Sequence, residues 1–480
     1  MTSKRTTRCS RPAASGRFRV SSKIQYLRLR SRPHADAAAW LQRCALLLIA
    51  VCSAATSHAI TLEAALARTL EKNPAIREAR ARLEQAAGRR VVLRATALPD
   101  VRTLIPGGVQ GGKRSGEKDV QPFAFARGLF SQPLFDVAIP ASYRRGDIEV
   151  LLAEQRLNVA VIEQLHTSRL AYCTAAYHNA LLSLGEAQRQ RLETNARAQG
   201  DRYEAGRADR QTVTAARLLE QEVKPRMEES RRAASGALLT LARTMGDDLG
   251  PGAQLATVES DLSFTALSLD PEAETSAALA RRADLKLARL LVRAASEDQR
   301  IIEAAYFPVI DAEISGDYIP VSDVRRGSEG SARRSDDIVS SELRFGAAYT
   351  WRVVDNGKVS GVVAQRRAAR QINELVLAKL EAEVPRQLAQ IQNNLRAIAA
   401  RETALSRATL LAEKTVADVV GDLHEGRSSQ LEYRSAEASF LQTKAGLLTV
   451  AYQQNLARAE LDRVTGRYFQ FSDDIGAKLH

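Results

Sequence analysis

Two stretches of this chain, 220 positions apart, are versions of one another, and that duplication limits the folds open to it. The clearer copy runs from Gly421 to Gly466: a helix end, a tight turn centred on Gly426, and a long return helix. The other runs from Asp201 to Gly246, with YEAGRADRQTVTAARLLEQ answering LHEGRSSQLEYRSAEASFL. In each, 40 residues separate the turn glycine (Gly206, Gly426) from a closing glycine (Gly246, Gly466). Earlier landmarks repeat in the same order, Pro99 with Pro308 and Asp136 with Asp355. Units of roughly 200 residues are far longer than solenoid repeats. The chain reads as one large unit duplicated: a first repeat over 60–270, a second over 271–470 and a tail over 471–480.

The net charge of +13 suggests a nucleic-acid partner until it is located. Residues 1–59 hold 11 Lys and Arg against one acid, Asp36, leaving 58 basic and 55 acidic residues in the remainder. The positive charge therefore belongs to the leader, and no nucleic-acid partner is expected. That leader reads as a secretory signal with a long basic start, an apolar run Cys44–Ala55 and a small-x-small cleavage pattern at Ser57-His58-Ala59. Its apolar run is shorter than the about 20 residues a spanning helix needs. Cys9, Cys44 and Cys52 fall in the leader, so only Cys173 remains after cleavage and no intrachain disulfide is expected. Acylation of Cys52 is the alternative, disfavoured by the bulk of Val51 before it.

Each repeat opens with helices. Thr61 is placed to cap a first helix to Lys72, and Asn73-Pro74 ends it and starts another towards Leu98. The second repeat offers Pro271–Ala280 and Ala283–Tyr306. After Pro99 and Pro308 the period changes to two. In 342–353, Leu343, Phe345, Ala347, Tyr349, Trp351 and Val353 alternate with polar or small residues. In 309–318, Ile310, Ala312, Ile314 and Tyr318 oppose Asp311, Glu313, Ser315 and Asp317. The first-repeat pair, Asp100–Ile105 and Phe123–Phe135, alternates less cleanly. Strands of about 9–11 residues, apolar on one face, mark a membrane β-barrel. Gly107–Asp119 and Pro320–Asp337 read as loops at the hairpin tips.

From Val137 to Ala205 and from Asn356 to Glu425 the chain is helix-forming with few glycines, and such helices would reach ~100 Å. Pro225 and Pro385 are expected to kink or perturb the helical stretches. On the last return helix Leu431, Ala438, Leu441, Ala445, Leu448, Tyr452, Leu456 and Ala459 form an apolar seam. Four strands cannot close a barrel, since the smallest membrane barrels use 8. Open edges cannot face hydrocarbon either. Several chains must pool strands, and three would give twelve.

The segments TLEAALARTLEKNPAIREARARLEQA (61–86), FSQPLFD (130–136), YEAGRADRQTVTAARLLE (203–220), WRVVDNGKVSG (351–361) and HEGRSSQLEYRSAEASFLQTKAGLLTVAYQQNLARAELDRVTG (424–466) resemble the TolC family of bacterial outer-membrane efflux and secretion channels. The resemblance implies a mainly α protein with a β-barrel part: a homotrimer whose 12-stranded barrel in outer-membrane lipid continues into a long periplasmic α-helical barrel. It implies a passive exit duct of an efflux or type I secretion system, docked by a periplasmic adaptor and an inner-membrane transporter. The turns at Gly206, Arg207, Gly426 and Arg427 would be the adaptor-docking tips. Glu432 would line the pore constriction, where three carboxylates favour cations. Ser435 holds the second position of that ring, which is acidic in the family. The positions of the family's polar latch correspond to Thr212, Leu423 and Ser428.

The mature histidines His166, His178, His424 and His480 lack metal-ligand spacing, and neither a metal nor a cofactor is expected. There is no P-loop, nucleophile elbow or dinucleotide fingerprint, and the glycine cluster 107–116 has no helix after it. An enzyme is not expected. The competing reading is a periplasmic coiled-coil adaptor without a barrel, which the alternating strands oppose.

Overall fold

The computed structural model describes residues 59–111, 120–247, 257–258, 262–267, 269–325 and 335–471. The expected leader with Cys52, the loop centres 112–119 and 326–334, and nearly all of the tail lie outside these residues.

Helix α1 (Leu62–Lys72) starts where the Thr61 hydroxyl accepts from the Ala64 amide at 3.3 Å. Asn73 ends it and caps α2 (Pro74–Ala95), accepting from Ala75 N at 2.9 Å. Its amide nitrogen also donates to the Thr244 carbonyl at 2.8 Å, tying this break to the far end of the repeat. The second repeat makes the same break at Arg282, between α5 (Pro271–Arg281) and α6 (Ala283–Glu303). Backbone angles agree closely: φ −59, ψ 126 at Asn73 and φ −58, ψ 125 at Arg282.

Two long helices and two return helices make the body. These are α3 (Ala138–Glu204, 67 residues), α4 (Arg210–Met245), α7 (Lys358–Glu425, 68 residues) and α8 (Gln430–Val464). Pro225 and Pro385 do not interrupt α4 and α7. Both sit on exposed faces, where a carbonyl that loses its helical partner can turn to water. Helix α6 packs on both α3 and α7, whereas α2 packs on α3. The second-repeat core joins Leu285 of α6 to Val384, Leu388, Ile391, Leu395 and Ile398 of α7 and to Val450, Leu461 and Val464 of α8. Strips of Leu, Ile and Val at helical spacing supply it, and each buried Leu or Ile contributes about 1.5–3 kcal/mol.

The expected seam on α8 holds only in part. Leu431 is 75% exposed, and Ala438 is exposed as well. Near the turn the buried positions are Tyr433, Ala436 and Glu437. The helix is rotated so that its aromatic ring, not Leu431, meets Leu192, Leu219 and Val223.

Among the described residues six strands form two antiparallel sheets: β1 (Asp100–Leu104), β2 (Gly107–Gly111), β3 (Val120–Ala124), β4 (Ala126–Phe135), β5 (Val309–Arg325) and β6 (Ser335–Thr350). The larger has the order β1-β4-β5-β6; the smaller pairs β2 with β3. Leu104 lies opposite Arg127 and Gly107 opposite Ala124, so one register runs through both parts of the first hairpin. Gly107–Asp119 and Pro320–Asp337 were expected as loops. Instead β2 begins at Gly107, β5 runs through Arg325 and β6 starts at Ser335. Ladder hydrogen bonds need no apolar side chains, so the pairing outlasts the alternation that reveals it. In the other direction β6 stops at Thr350, short of Trp351 and Val353.

Register sorts the side chains by face. Val101, Phe130, Ile314 and Phe345 form one row across four strands, with Ile310 and Tyr349 another pair on that face. The opposite face carries Arg127, Asp317 and Glu342 in one row, with Arg127 and Asp317 ion-paired at 2.6 Å. Among the described residues, strands β1 and β6 each leave one edge unpaired.

Where α2 meets α3, buried Glu149 sits between Arg145 at 2.6 Å and Arg89 at 3.0 Å. Burial pushes its carboxyl up, but the two guanidiniums prevail and hold it below the usual carboxylate range. A depressed carboxyl stabilises the fold above its unfolded pKa of 4.5, and that stability is lost as pH falls through the folded value. Glu149→Gln is thus expected to cost about 3 kcal/mol at neutral pH. Denaturant midpoints of wild type and variant should converge below the ordinary carboxylate range. A gap independent of pH would contradict this account.

Candidate functional site

Both helical hairpins turn by the same chemistry. Chain reversal requires a left-handed residue, and Gly206 (φ 70) and Gly426 (φ 78) supply it. At the first turn Arg207 N donates to Arg202 O at 2.7 Å and Gly206 N to Tyr203 O at 2.9 Å. At the second, Arg427 N donates to Asp422 O at 2.8 Å and Gly426 N to Leu423 O at 3.3 Å. These are paired Schellman closures, and Gly246 and Gly466 end α4 and α8 in the same way.

The return helices start on side-chain caps. Asp209 accepts from Thr212 N at 2.8 Å and from the Thr212 hydroxyl. Ser429 and Glu432 form a capping box: Glu432 N donates to Ser429 Oγ at 3.2 Å, and Ser429 N to Glu432 Oε2 at 2.8 Å. The Ser429 N–H and then the Ser428 hydroxyl hold the Glu432 carboxyl below its ordinary value, so it is ionised at neutral pH. Ser435 is exposed, as is Glu432.

The tip arginines differ. Arg427 pairs with Asp422 at 2.7 Å and with Glu425. Arg207 is exposed and makes no ion pair among the described residues. Thr212, Leu423 and Ser428 do not form a latch with one another. Thr212 serves the Asp209 cap, and the Leu423 side chain is buried with Leu192, Leu219 and Tyr433.

The hairpins are joined by residues that sequence reasoning missed. Arg202 donates to the Leu423 carbonyl, bringing the two turns together. Asn195 donates to Gln430 at 3.1 Å, and Arg191 to Glu437 at 3.0 and 2.8 Å. Arg434 reaches Glu222 of α4 at 3.0 Å. Between α3, α4 and α8 lies a cavity of about 520 Å³, lined by Leu184, Leu219, Met227 and Leu441 and by the contact residues Glu222, Arg434 and Glu437. In the sequence Glu437 is an acid beside an apolar seam, and nothing nearby names its partner.

No group of His, Cys, Asp and Glu among the described residues could hold a metal ion. No described helix is long and apolar enough to cross a membrane.

A small sheet carried on two long α-helical hairpins is the fold that this chain shares with the solved outer-membrane channels it resembles. The chain belongs to the outer membrane efflux protein family, whose sequence profile matches residues 65–247 and again 275–467. No curated protein sequence matches it. Among solved structures it is similar to the outer membrane protein VceC of Vibrio cholerae, with TM-score 0.66 and 16% identity over 84% of this chain and 96% of that one. The CmeC outer membrane channel of Campylobacter jejuni gives TM-score 0.66 and 14% identity over 87% of this chain and 88% of that one. The MtrE outer membrane channel of Neisseria gonorrhoeae, in its open state, gives TM-score 0.63 and 19% identity, covering 84% and 88% respectively.

Proposed function

We propose that this chain is one third of a passive exit duct in the outer membrane, serving a multi-component efflux or type I secretion system. The observation that carries this reading is the sheet. It has one apolar face, one charged face and two free edges, and it is carried on helices of 67 and 68 residues. Three copies pair β1 of one with β6 of the next and close a 12-stranded barrel, leaving no backbone edge in hydrocarbon. The apolar row meets lipid, and the row holding Arg127 and Asp317 lines water.

Below the membrane the two hairpins of each copy build a helical barrel. Its six turns, at Gly206-Arg207 and Gly426-Arg427, are the tips that a periplasmic adaptor docks, in line with an inner-membrane transporter. Glu432 contributes one carboxylate per copy to the constriction, and Ser435, one helical turn on, adds none. The ring is therefore a single layer of three charges, which favours cations weakly.

Purified protein in planar bilayers tests this reading. Wild type should run as a heat-modifiable trimer and conduct with cation preference. Glu432→Gln should lower that preference without changing thermal stability, because glutamine still closes the capping box. Unchanged selectivity would remove Glu432 from the pore; a water-soluble monomer would remove the duct.

A further inference from the structure

The cavity between α3, α4 and α8 is lined by a carboxylate with one oxygen left over. Glu437 is 2% exposed, and both Arg191 donors converge on its Oε1, at 3.0 and 2.8 Å. Its Oε2 is buried and accepts no hydrogen bond among the described residues. Arg191 is itself held in place, its guanidinium 5.3 Å from the centre of the Phe440 ring. A buried carboxylate oxygen without a donor is costly. The hairpin does not need an acid here, because the equivalent residue 220 positions earlier is Arg217, which is exposed.

We propose that this cavity binds a small amphipathic amine, whose ammonium group donates to Glu437 Oε2 while its apolar body fills the space between the leucines. The site lies within one chain and does not rest on the trimeric duct above.

At about 520 Å³ the cavity falls within the size range of small-molecule sites. Leu181, Leu184 and Leu192 of α3, Leu219 of α4 and Leu441 of α8 give it apolar walls. Met227 sets its sulfur over Gly185, where an added Cβ would stand 2.7 Å from it. A thioether is flexible, so this wall can shift to suit the bound molecule. Glu222, Arg226 and Arg434 are exposed and stand at the rim, with Glu222 and Arg434 paired at 3.0 Å. Together with Glu437 the lining carries two acids and two arginines, so its charges cancel. Selection therefore falls to the one buried oxygen. A hydroxyl could reach it, but a charged donor makes a bond roughly twice as strong. An anion would be repelled by it.

The test uses the full chain in lipid nanodiscs, with naphthylethylamine as the probe and naphthylethanol as its neutral match. Calorimetric titration, corrected with empty nanodiscs, should show one amine bound per chain and the alcohol bound about tenfold more weakly. Glu437→Gln should bring the amine down to the alcohol's affinity, a loss of about tenfold. Ala438→Phe, at an exposed position on the cavity lining, keeps the Arg191–Glu437 pair and fills the space, so it should abolish binding of both. It also carries the test alone if Glu437→Gln does not fold. Equal affinity of wild type for amine and alcohol would overturn the role of Glu437. Amine binding that survives Ala438→Phe would place the probe elsewhere, and no saturable binding would leave the cavity to water; either result overturns the site. A monomer that still binds the amine would overturn the duct and leave this site standing.

Discussion

Phe345→Lys is expected to remove the protein from the outer membrane. Phe345 is 71% exposed in the single chain and ends the row Val101–Phe130–Ile314–Phe345. Leu343, Tyr349 and Phe345 all stand on that face of β6 and all are largely exposed. A lysine on the lipid face of a barrel costs about 2–4 kcal/mol near the midplane. Three copies multiply this to about 6–12 kcal/mol, the size of a whole domain's stability. Ser315→Lys, on the opposite face, should assemble normally because its ammonium would stay in water. Heat-modifiable trimer recovered from outer membranes is the measurement. Normal recovery of the Phe345 variant would reverse the assignment of faces.

The second large effect is expected at Gly246, which closes α4. Its φ is 77, and an added Cβ would stand 2.8 Å from the Lys72 carbonyl oxygen and 3.0 Å from the Asn73 Cα. Those are backbone atoms at the junction of α1 and α2, so no side-chain rotation relieves the clash. Left-handed strain costs about 1–2 kcal/mol, and overpacking adds about 1–3 kcal/mol. Gly246→Ala should therefore lose about 3 kcal/mol. Gly206 has a similar φ of 70, with nothing within 4 Å of the added atom. Gly206→Ala should lose only the left-handed term, about 1 kcal/mol. Denaturant unfolding of the two variants compares them directly, and equal losses would mean that the Lys72 contact does not govern the site.

Much of the fold was legible because its signals are local. Asn73-Pro74 marks a helix boundary by its own chemistry, and the two turn glycines and two closing glycines announce left-handed ends. The long helices follow from residue type over 67 and 68 positions, with room for a proline on an exposed face. The strand ends were not legible, because β2 and the outer part of β5 are built of residues that also make loops. The hairpin contacts were hidden for another reason: Arg191 and Glu437 are 246 positions apart. Only tertiary packing joins them. Glu432 shows the mixture. Its place after the turn is readable from the family resemblance, and S-x-x-E at Ser429 is a local signal for the capping box it closes.

The matched closures have a consequence for whatever meets the tips. Both arms descend 40 residues from closing glycine to turn glycine, and each helix residue adds 1.5 Å of height and a rotation of about 100°. Arms of equal count end level, so in the proposed trimer the six turns would lie on one plane. A one-residue deletion in either arm would shift its turn by about 1.5 Å and rotate it by about 100° against the other, without disturbing the membrane end.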